Sequence, residues 1–327
     1  MIVTLTANPS VDRTVALDGP LLRGGVLRAA SVTSEPGGKG VNVARAVTAA
    51  GRLALAVLPA SAEDPLVLAL REAGVPHRAV DVVGRVRTNI TVTEPDGTTT
   101  KLNEPGLVLD DEVTRRLTET LLREATGARW AVLSGSLPPG ARAGWYAELV
   151  VALRTSACCV AVDTSGAPLR ALLEAGAPAA PDLLKPNAEE LAYAVGADAR
   201  ELESDPRATA EAAERLRSLG VRAVLATLGA DGAVLVTAEG AWHAVPPAVA
   251  ARSTVGAGDS ALSGYLLADL ADASADDRLR HAVAYGAAAA ALPGSALPAP
   301  HQTRPDDVRV TRLAPPHPSP PVAAPVD

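Results

Sequence analysis

Short apolar runs alternate along the chain with longer segments in which Ala and Leu recur among Glu and Arg. Residues 2–6 read as a strand. A glycine-rich turn then opens a helix over 41–50, followed by a strand at 53–58 and a helix at 65–73 that Gly74 closes. Further helices are predicted over 110–124, with Leu117, Leu121 and Leu122 on the apolar face, and over 145–154, 169–175, 189–195 and 208–219. Strands are predicted at 130–133, 159–162 and 223–227. This alternation predicts an α/β fold with a mainly parallel sheet and helices on both faces.

Segment 87–103 breaks the rhythm. Asn89, Thr91 and Thr93 alternate with Ile90 and Val92, the chain turns at Pro95-Asp96-Gly97, and it returns through 98–102. Period-two alternation around Asp-Gly predicts a β-hairpin, here a small lid on the α/β body. Segment 11–34 also reads as extended and is placed to pair with it. The lid is thus expected from about 11–34 and 86–104, within one domain over 1–313. The proline-rich end, 314–327, is expected to be disordered.

Length and composition narrow the picture. With 327 residues and 48% hydrophobic content the chain can bury a sizeable core. Phe is absent, so that core is built from Ala, Val and Leu. The net charge of −7 argues against a nucleic-acid partner, and anionic ligands must be met by a few well-placed cations. Cys158 and Cys159 are adjacent within a predicted strand, with no disulfide or zinc spacing. Neither a signal peptide nor a run of about 18 apolar residues is seen, so no membrane association and a cytoplasmic location are expected.

Five segments carry candidate chemistry. In Ser253-Thr254-Val255-Gly256-Ala257-Gly258-Asp259-Ser260, the glycines allow close backbone approach to a ligand. The helix start behind them aims free amides at an anion, and Asp259 can accept a proton from a hydroxyl. A Gly-rich turn with a capping Asp explains the same residues. Gly256-x-Gly258-x-x-Ala261 also meets the relaxed dinucleotide fingerprint, with Asp276 and Asp277 at the spacing of its acid, but no apolar strand lies between. Gly37-Gly38-Lys39-Gly40 lacks the Walker A residues, yet puts a helix start, a cation and Asn42 together. Asp12, just beyond the first strand, can hold hydroxyls or cap a turn. Lys185-Pro186-Asn187 with Glu190 suits water around Mg²⁺ or a simple capping box. Thr227-Leu228-Gly229-Ala230-Asp231-Gly232 follows a strand and can pass against a nucleotide or form an ordinary turn.

Two stretches are the most telling: Pro36-Gly37-Gly38-Lys39-Gly40-Val41-Asn42-Val43-Ala44-Arg45-Ala46 and 253–260. Between them stand Ser134-Gly135-Ser136-Leu137-Pro138-Pro139-Gly140 and Lys185-Pro186-Asn187-Ala188-Glu189-Glu190-Leu191. In this order they resemble the ribokinase-like (PfkB) carbohydrate kinases, from residue 1 to about 313. Asn8-Pro9 through Asp12, the Lys39 form of the loop and Ser136 are similar to the branch acting on phosphorylated ketohexoses.

The resemblance implies a ribokinase-like fold, ATP and Mg²⁺, a small sugar phosphate as partner and a homodimer through the lid. It also implies phosphorylation of fructose 1-phosphate to fructose 1,6-bisphosphate. The alternatives are tagatose 6-phosphate or fructose 6-phosphate as acceptor, or a sugar-phosphate sensor without catalysis. Asp259 is then the base, and Gly256, Ala257 and Gly258 form the anion hole. Asp12, Gly38, Lys39, Asn42, Arg87, Asn89 and Ser136 match the substrate side, with Arg87, Lys39 and Arg28 on the existing phosphate. Lys185, Asn187, Thr227, Gly229 and Gly232 match the nucleotide side, and Asn187 and Glu190 the magnesium motif. Two departures, Leu58-Pro59-Ala60-Ser61-Ala62 in place of a glycine-containing loop and Leu27 in place of a polar residue, lie on the acceptor side.

Overall fold

The computed structural model describes residues 1–314, so the proline-rich tail, apart from Ala314, lies outside the described residues. The chain runs β1 (Ile2–Thr6), β2 (Ser10–Leu17), β3 (Ala29–Gly37), α1 (Lys39–Ala49), β4 (Ala54–Pro59), α2 (Pro65–Glu72) and β5 (His77–Val80). It continues through β6 (Arg87–Thr93), β7 (Thr99–Asn103), α3 (Asp111–Ala125), β8 (Trp130–Ser134), α4 (Trp145–Leu153), β9 (Cys159–Asp163) and α5 (Gly166–Glu174). Then follow β10 (Leu183–Leu184), α6 (Ala188–Val195), α7 (Ala199–Ser204), α8 (Pro206–Ser218), β11 (Ala223–Thr227), β12 (Ala233–Thr237) and β13 (Gly240–Val245). The last elements are α9 (Ala257–Asp269), α10 (Ala275–Ala290) and β14 (Arg309–Leu313).

Among the described residues the main sheet has ten strands in the order β14-β13-β12-β11-β10-β9-β8-β1-β4-β5. From β11 to β5 every pair is parallel; β12, β13 and β14 form an antiparallel edge. Parallel strands are covered on both faces, and β1 shows it: all five of its residues are buried. Val3 and Leu5 join the core under α3–α8, with Leu117, Tyr146, Leu191 and Leu216. Ile2 joins the opposite core, with Val41, Leu262 and Leu279 of α1, α9 and α10. Local signals start the helices as expected: Asp64 accepts from Leu66 N ahead of Pro65, and Asp110 accepts from Val113 N.

The lid is more than a hairpin. β6 and β7 pair antiparallel as predicted, but β2 joins β6 in parallel and β3 pairs antiparallel with β2, giving the order β3-β2-β6-β7. The pairing predicted for 11–34 is present and runs on to Gly37, opposite Ser10. β3 thus feeds directly into the glycine loop that opens α1, so lid and cleft are covalently continuous. Pleating sorts the sheet into two faces. Asp12, Thr14, Asn89, Thr91 and Lys101 share one; Val15, Val32, Ile90, Val92 and Leu102 share the other.

Candidate active site

The site forms along the C-terminal edge of the main sheet, where strands end in polar side chains. Thr6, Ser134 and Asp163 stand in register on β1, β8 and β9. They face the α1/α9 side, because alternate residues of these strands (Ile2, Trp130, Ala161) belong to that core. α1 begins directly on Thr6. Gly38 adopts φ 102°, and a Cβ at Gly40 would fall 2.5 Å from Thr6 Oγ1 and 3.0 Å from the Leu5 carbonyl oxygen. Only small residues permit this approach.

That approach swings Lys39 over the edge of the sheet, where its Nζ lies 2.6 Å from Asp163 Oδ1. Lys185, just past β10, brings Nζ to 3.2 Å from Asp163 Oδ2, an ion pair outside good hydrogen-bond geometry. Asn42, in the first turn of α1, donates to Asp259 Oδ2 at 2.8 Å. Asp259 sits in the first turn of α9, which starts at left-handed Gly256 (φ 76°) without a side-chain cap. Ala257 N makes only a long 3.4 Å bond to the Thr254 carbonyl, so the leading amides of α9 remain available to an anion. Lys185 Nζ stands beside them, 3.3 Å from where a Cβ on Gly258 would be.

Burial is the main influence on Asp259 and pushes its pKa up to about 6. The charge of Asp163 adds to this, while Lys39, the Asn42 hydrogen bond and Lys185 pull it back. Burial disfavours the Lys39 cation, but Asp163, Asp259 and Glu190 outweigh it and hold its pKa above the ordinary lysine value. Burial likewise opposes the Asp163 carboxylate, yet Lys185 and Lys39 keep its pKa below the usual range. At neutral pH Lys39 is therefore an ammonium facing two carboxylates, of which Asp259 is the closer to titrating.

A second group lies on the lid. Asp12 Oδ1 accepts from Ser10 Oγ at 2.7 Å and from Asn89 Nδ2 at 3.0 Å. Arg87 opens β6, half-buried, and its Nη1 donates to the Glu104 carbonyl at 3.2 Å. Burial lowers its pKa, against the pull of Asp12 and Glu104. Arg87 Nε and Asn89 Oδ1 are buried without a hydrogen-bond partner, the condition of groups that await a ligand or water. Ser136 is exposed and accepts from Asn8 Nδ2 at 3.4 Å. Arg28, exposed ahead of β3, bonds to none of these residues.

The third group lies at the start of α6 and in the turn between β11 and β12. Asn187 caps α6: its Oδ1 accepts from Glu190 N at 2.7 Å while Asn187 N donates to Glu190 Oε2 at 2.9 Å. The capping box is thus real, and it leaves Glu190 Oε1 free. Thr227 bridges to Asn187 in parallel fashion. Gly229 starts the short turn between β11 and β12, and Gly232 (φ 91°) closes it where a Cβ would collide with the Ala244 carbonyl.

Apart from Arg28, which the structure leaves exposed and unbonded to them, the expected residues thus gather in three groups. Lys39, expected on the sugar's phosphate with Arg87 and Arg28, is anchored on Asp163 and lies within the field of Asp259. Asn42 holds Asp259 rather than standing free. Asp163 is the residue that reading the sequence missed. The available signal was a carboxylate ending the apolar strand Val160-Ala161-Val162, in the position where parallel sheets present ligand groups.

Comparison with known proteins fits this geometry. The model of the pfkB family carbohydrate kinases matches residues 5–302. The chain is 36% identical to the ATP-dependent 6-phosphofructokinase isozyme 2 of Escherichia coli (strain K12) over 299 residues, 90% of this chain and 94% of that protein. It is also 36% identical to the 1-phosphofructokinase of Rhodobacter capsulatus over 308 residues, 92% of this chain and 94% of that one. The solved structure of phosphofructokinase-2 from Escherichia coli in complex with substrates and products superposes with a TM-score of 0.84 at 34% identity. It covers 92% of this chain and 96% of that one.

Proposed function

Since the chain belongs to the pfkB family of carbohydrate kinases, we propose that it transfers the γ-phosphoryl group of ATP to the free primary hydroxyl of fructose 1-phosphate. The products are fructose 1,6-bisphosphate and ADP. The observation that carries this reading is Asp259: a buried carboxylate with a raised pKa, held by Asn42 at one oxygen, beside the uncapped start of α9. A binding protein has no need of such a base. Relatives named 1-phosphofructokinase, at 34–36% identity over most of the chain, support the choice of sugar.

In this reading Asp259 Oδ1 takes the hydroxyl proton as the sugar oxygen bonds to the γ-phosphorus and the bond to the ADP oxygen breaks. The amides of Gly256, Ala257 and Gly258 receive the charge on the phosphoryl oxygens. Asp12 and Asn89 hold sugar hydroxyls, and Arg87, with a free Nε, meets the phosphate already on the sugar. Lys185, Thr227, Gly229 and Gly232 border the nucleotide. Mg²⁺ would neutralise phosphate charge at Glu190 and Asn187, and it fits there through water, because the cap occupies Asn187 Oδ1 and Glu190 Oε2 but not Oε1. Residues 1–313 act as one kinase unit, and two copies pair through the lid face that exposes Val32 and Leu102.

A coupled ADP-release assay over fructose 1-phosphate, fructose 6-phosphate, tagatose 6-phosphate and unphosphorylated sugars tests the reading. The highest kcat/KM is expected with fructose 1-phosphate. Calorimetric binding of a sugar phosphate without ADP release would leave a sugar-phosphate sensor instead.

A further inference from the structure

Asp163 needs an explanation beyond packing. Its side chain is 1% exposed, and a buried carboxylate is costly unless its partners are well placed. The partners come from opposite sides of the cleft. Lys39 arrives from the glycine loop that continues the lid, and Lys185 from the turn leading to the nucleotide-side helix α6. One carboxylate thus ties two flexible side chains to a single point, one Nζ on each oxygen. That point adjoins the amides at the start of α9, since Lys185 Nζ stands next to Gly258.

The charges sum in a telling way. Lys39, Lys185, Asp163 and Asp259 together are neutral when Asp259 is ionised. Once Asp259 has taken a proton the cluster carries one net positive charge, at the moment negative charge builds on the phosphoryl oxygens. Pre-oriented charge of this kind acts on the transition state more than on bound substrate.

We propose that Asp163 is a positioning residue that holds Lys39 and Lys185 as a pair of cations on the phosphoryl group in flight. Lys39 then serves that group rather than the phosphate already on the sugar. The proposal rests on the reading of Asp259 as the base.

The test compares Lys39→Met, Asp163→Asn and the double variant, with kcat and the KM values for ATP and for fructose 1-phosphate measured separately. Lys39→Met lowers kcat by about 10²-fold or more, the usual loss of a transition-state donor, with KM for fructose 1-phosphate within about threefold. Asp163→Asn behaves in the same way. Because it acts through the lysines, the double variant falls well short of the product of the two single losses. Losses that multiply in full would make Asp163 a structural residue and overturn the proposal. A large rise in KM for fructose 1-phosphate with near-normal kcat in Lys39→Met would return Lys39 to the sugar's phosphate and overturn it too. If Asp163→Asn does not fold, because Lys185 is left buried alone, Lys39→Met decides, since its side chain reaches the open cleft at 36% exposure. Asp259→Asn is the control. Turnover kept there sinks the base itself, whereas turnover lost there but kept in Lys39→Met and Asp163→Asn sinks only this proposal.

Discussion

Asn42 and Asp259 stand 217 positions apart in the chain, yet the amide of one donates to the carboxylate of the other at 2.8 Å. This bond ties the first turn of α1 to the first turn of α9. It also distinguishes the two carboxylate oxygens: Oδ2 is engaged, and Oδ1 is the one left for a substrate hydroxyl in the proposed reaction. Asn42 Oδ1 is itself buried without a partner, so this amide has little else to hold it.

The bond stabilises the ionised form of Asp259 and so pulls down a pKa that burial has raised to about 6. The base works when deprotonated, so kcat/KM falls as pH drops through about 6. Asn42→Leu removes the donor, and the acid limb of the profile moves to higher pH. Asn42→Asp, which brings a like charge to the same place, moves it further. A pH–rate profile that stays put in both variants would count against Asp259 as the titrating group.

Asp259→Asn separates chemistry from stability. Turnover should fall by at least ~10²-fold, the usual contribution of a positioned base. The fold should gain. A carboxyl whose folded pKa exceeds its unfolded value of about 3.9 adds stability that is complete below that lower value and is lost as pH rises through about 6. At pH 8 the buried ion is a burden on the order of 2–3 kcal/mol, and the variant should melt higher than the parent. At pH 4 the difference should vanish. Equal melting temperatures at both pH values would mean that the carboxylate is not desolvated as described.

Asp64 joins the body to the lid. It is buried; its Oδ1 caps α2 at Leu66 N (2.9 Å) and its Oδ2 accepts from Val86 N at 3.0 Å, one residue before Arg87. Asp64→Ala removes a cap worth about 1 kcal/mol and leaves a second buried amide without an acceptor, for a further ~1–3 kcal/mol. KM for the sugar phosphate should rise more than kcat falls, since Arg87 loses its footing while Asp259 does not. An unchanged KM in a folded variant would refute the hinge role.

The apolar side of the lid bears on assembly. Val32 and Leu102 are 45% and 58% exposed on the face opposite Asp12 and Asn89. Val32→Glu puts a charge on the β3 edge of that face. Sedimentation of the parent as a dimer and of the variant as a monomer is expected; identical behaviour of the two would exclude this face as the interface.

Most of the body could be read locally. Helices such as Asp111–Ala125 announce themselves through a capping Asp and apolar positions at helical spacing, and the buried parallel strands through short apolar runs. The base, the anion cradle and Asn187–Glu190 sit at glycine or cap positions, which also speak locally. What escaped depends on long-range register. The lid pairing of 11–34 is legible, but not the parallel register of β2 on β6, nor that β14, which follows α9 and α10 in the chain, returns to pair antiparallel with β13 at the sheet edge. Asp163 matters because β9 lies next to β8 and β10 and because α1 leans over it; its partner Lys39 is 124 positions away. No local pattern marks a carboxylate as the meeting point of two lysines from separate segments.

Helix α9 has ten of its thirteen residues buried, and Asp269 at its far end accepts from Trp130 Nε1 at 2.7 Å and pairs with Arg129 and Arg278. That segment is therefore clamped at its tail and enclosed beyond its first turn, and its amides from Leu262 onward should exchange with solvent only when the whole molecule opens. Asp12, Arg87 and Asn89, proposed to meet the sugar, hang instead on a thin ribbon of four strands. On the proposed reading, substitutions on that ribbon can alter the choice of acceptor at little cost to the interior that holds Asp259.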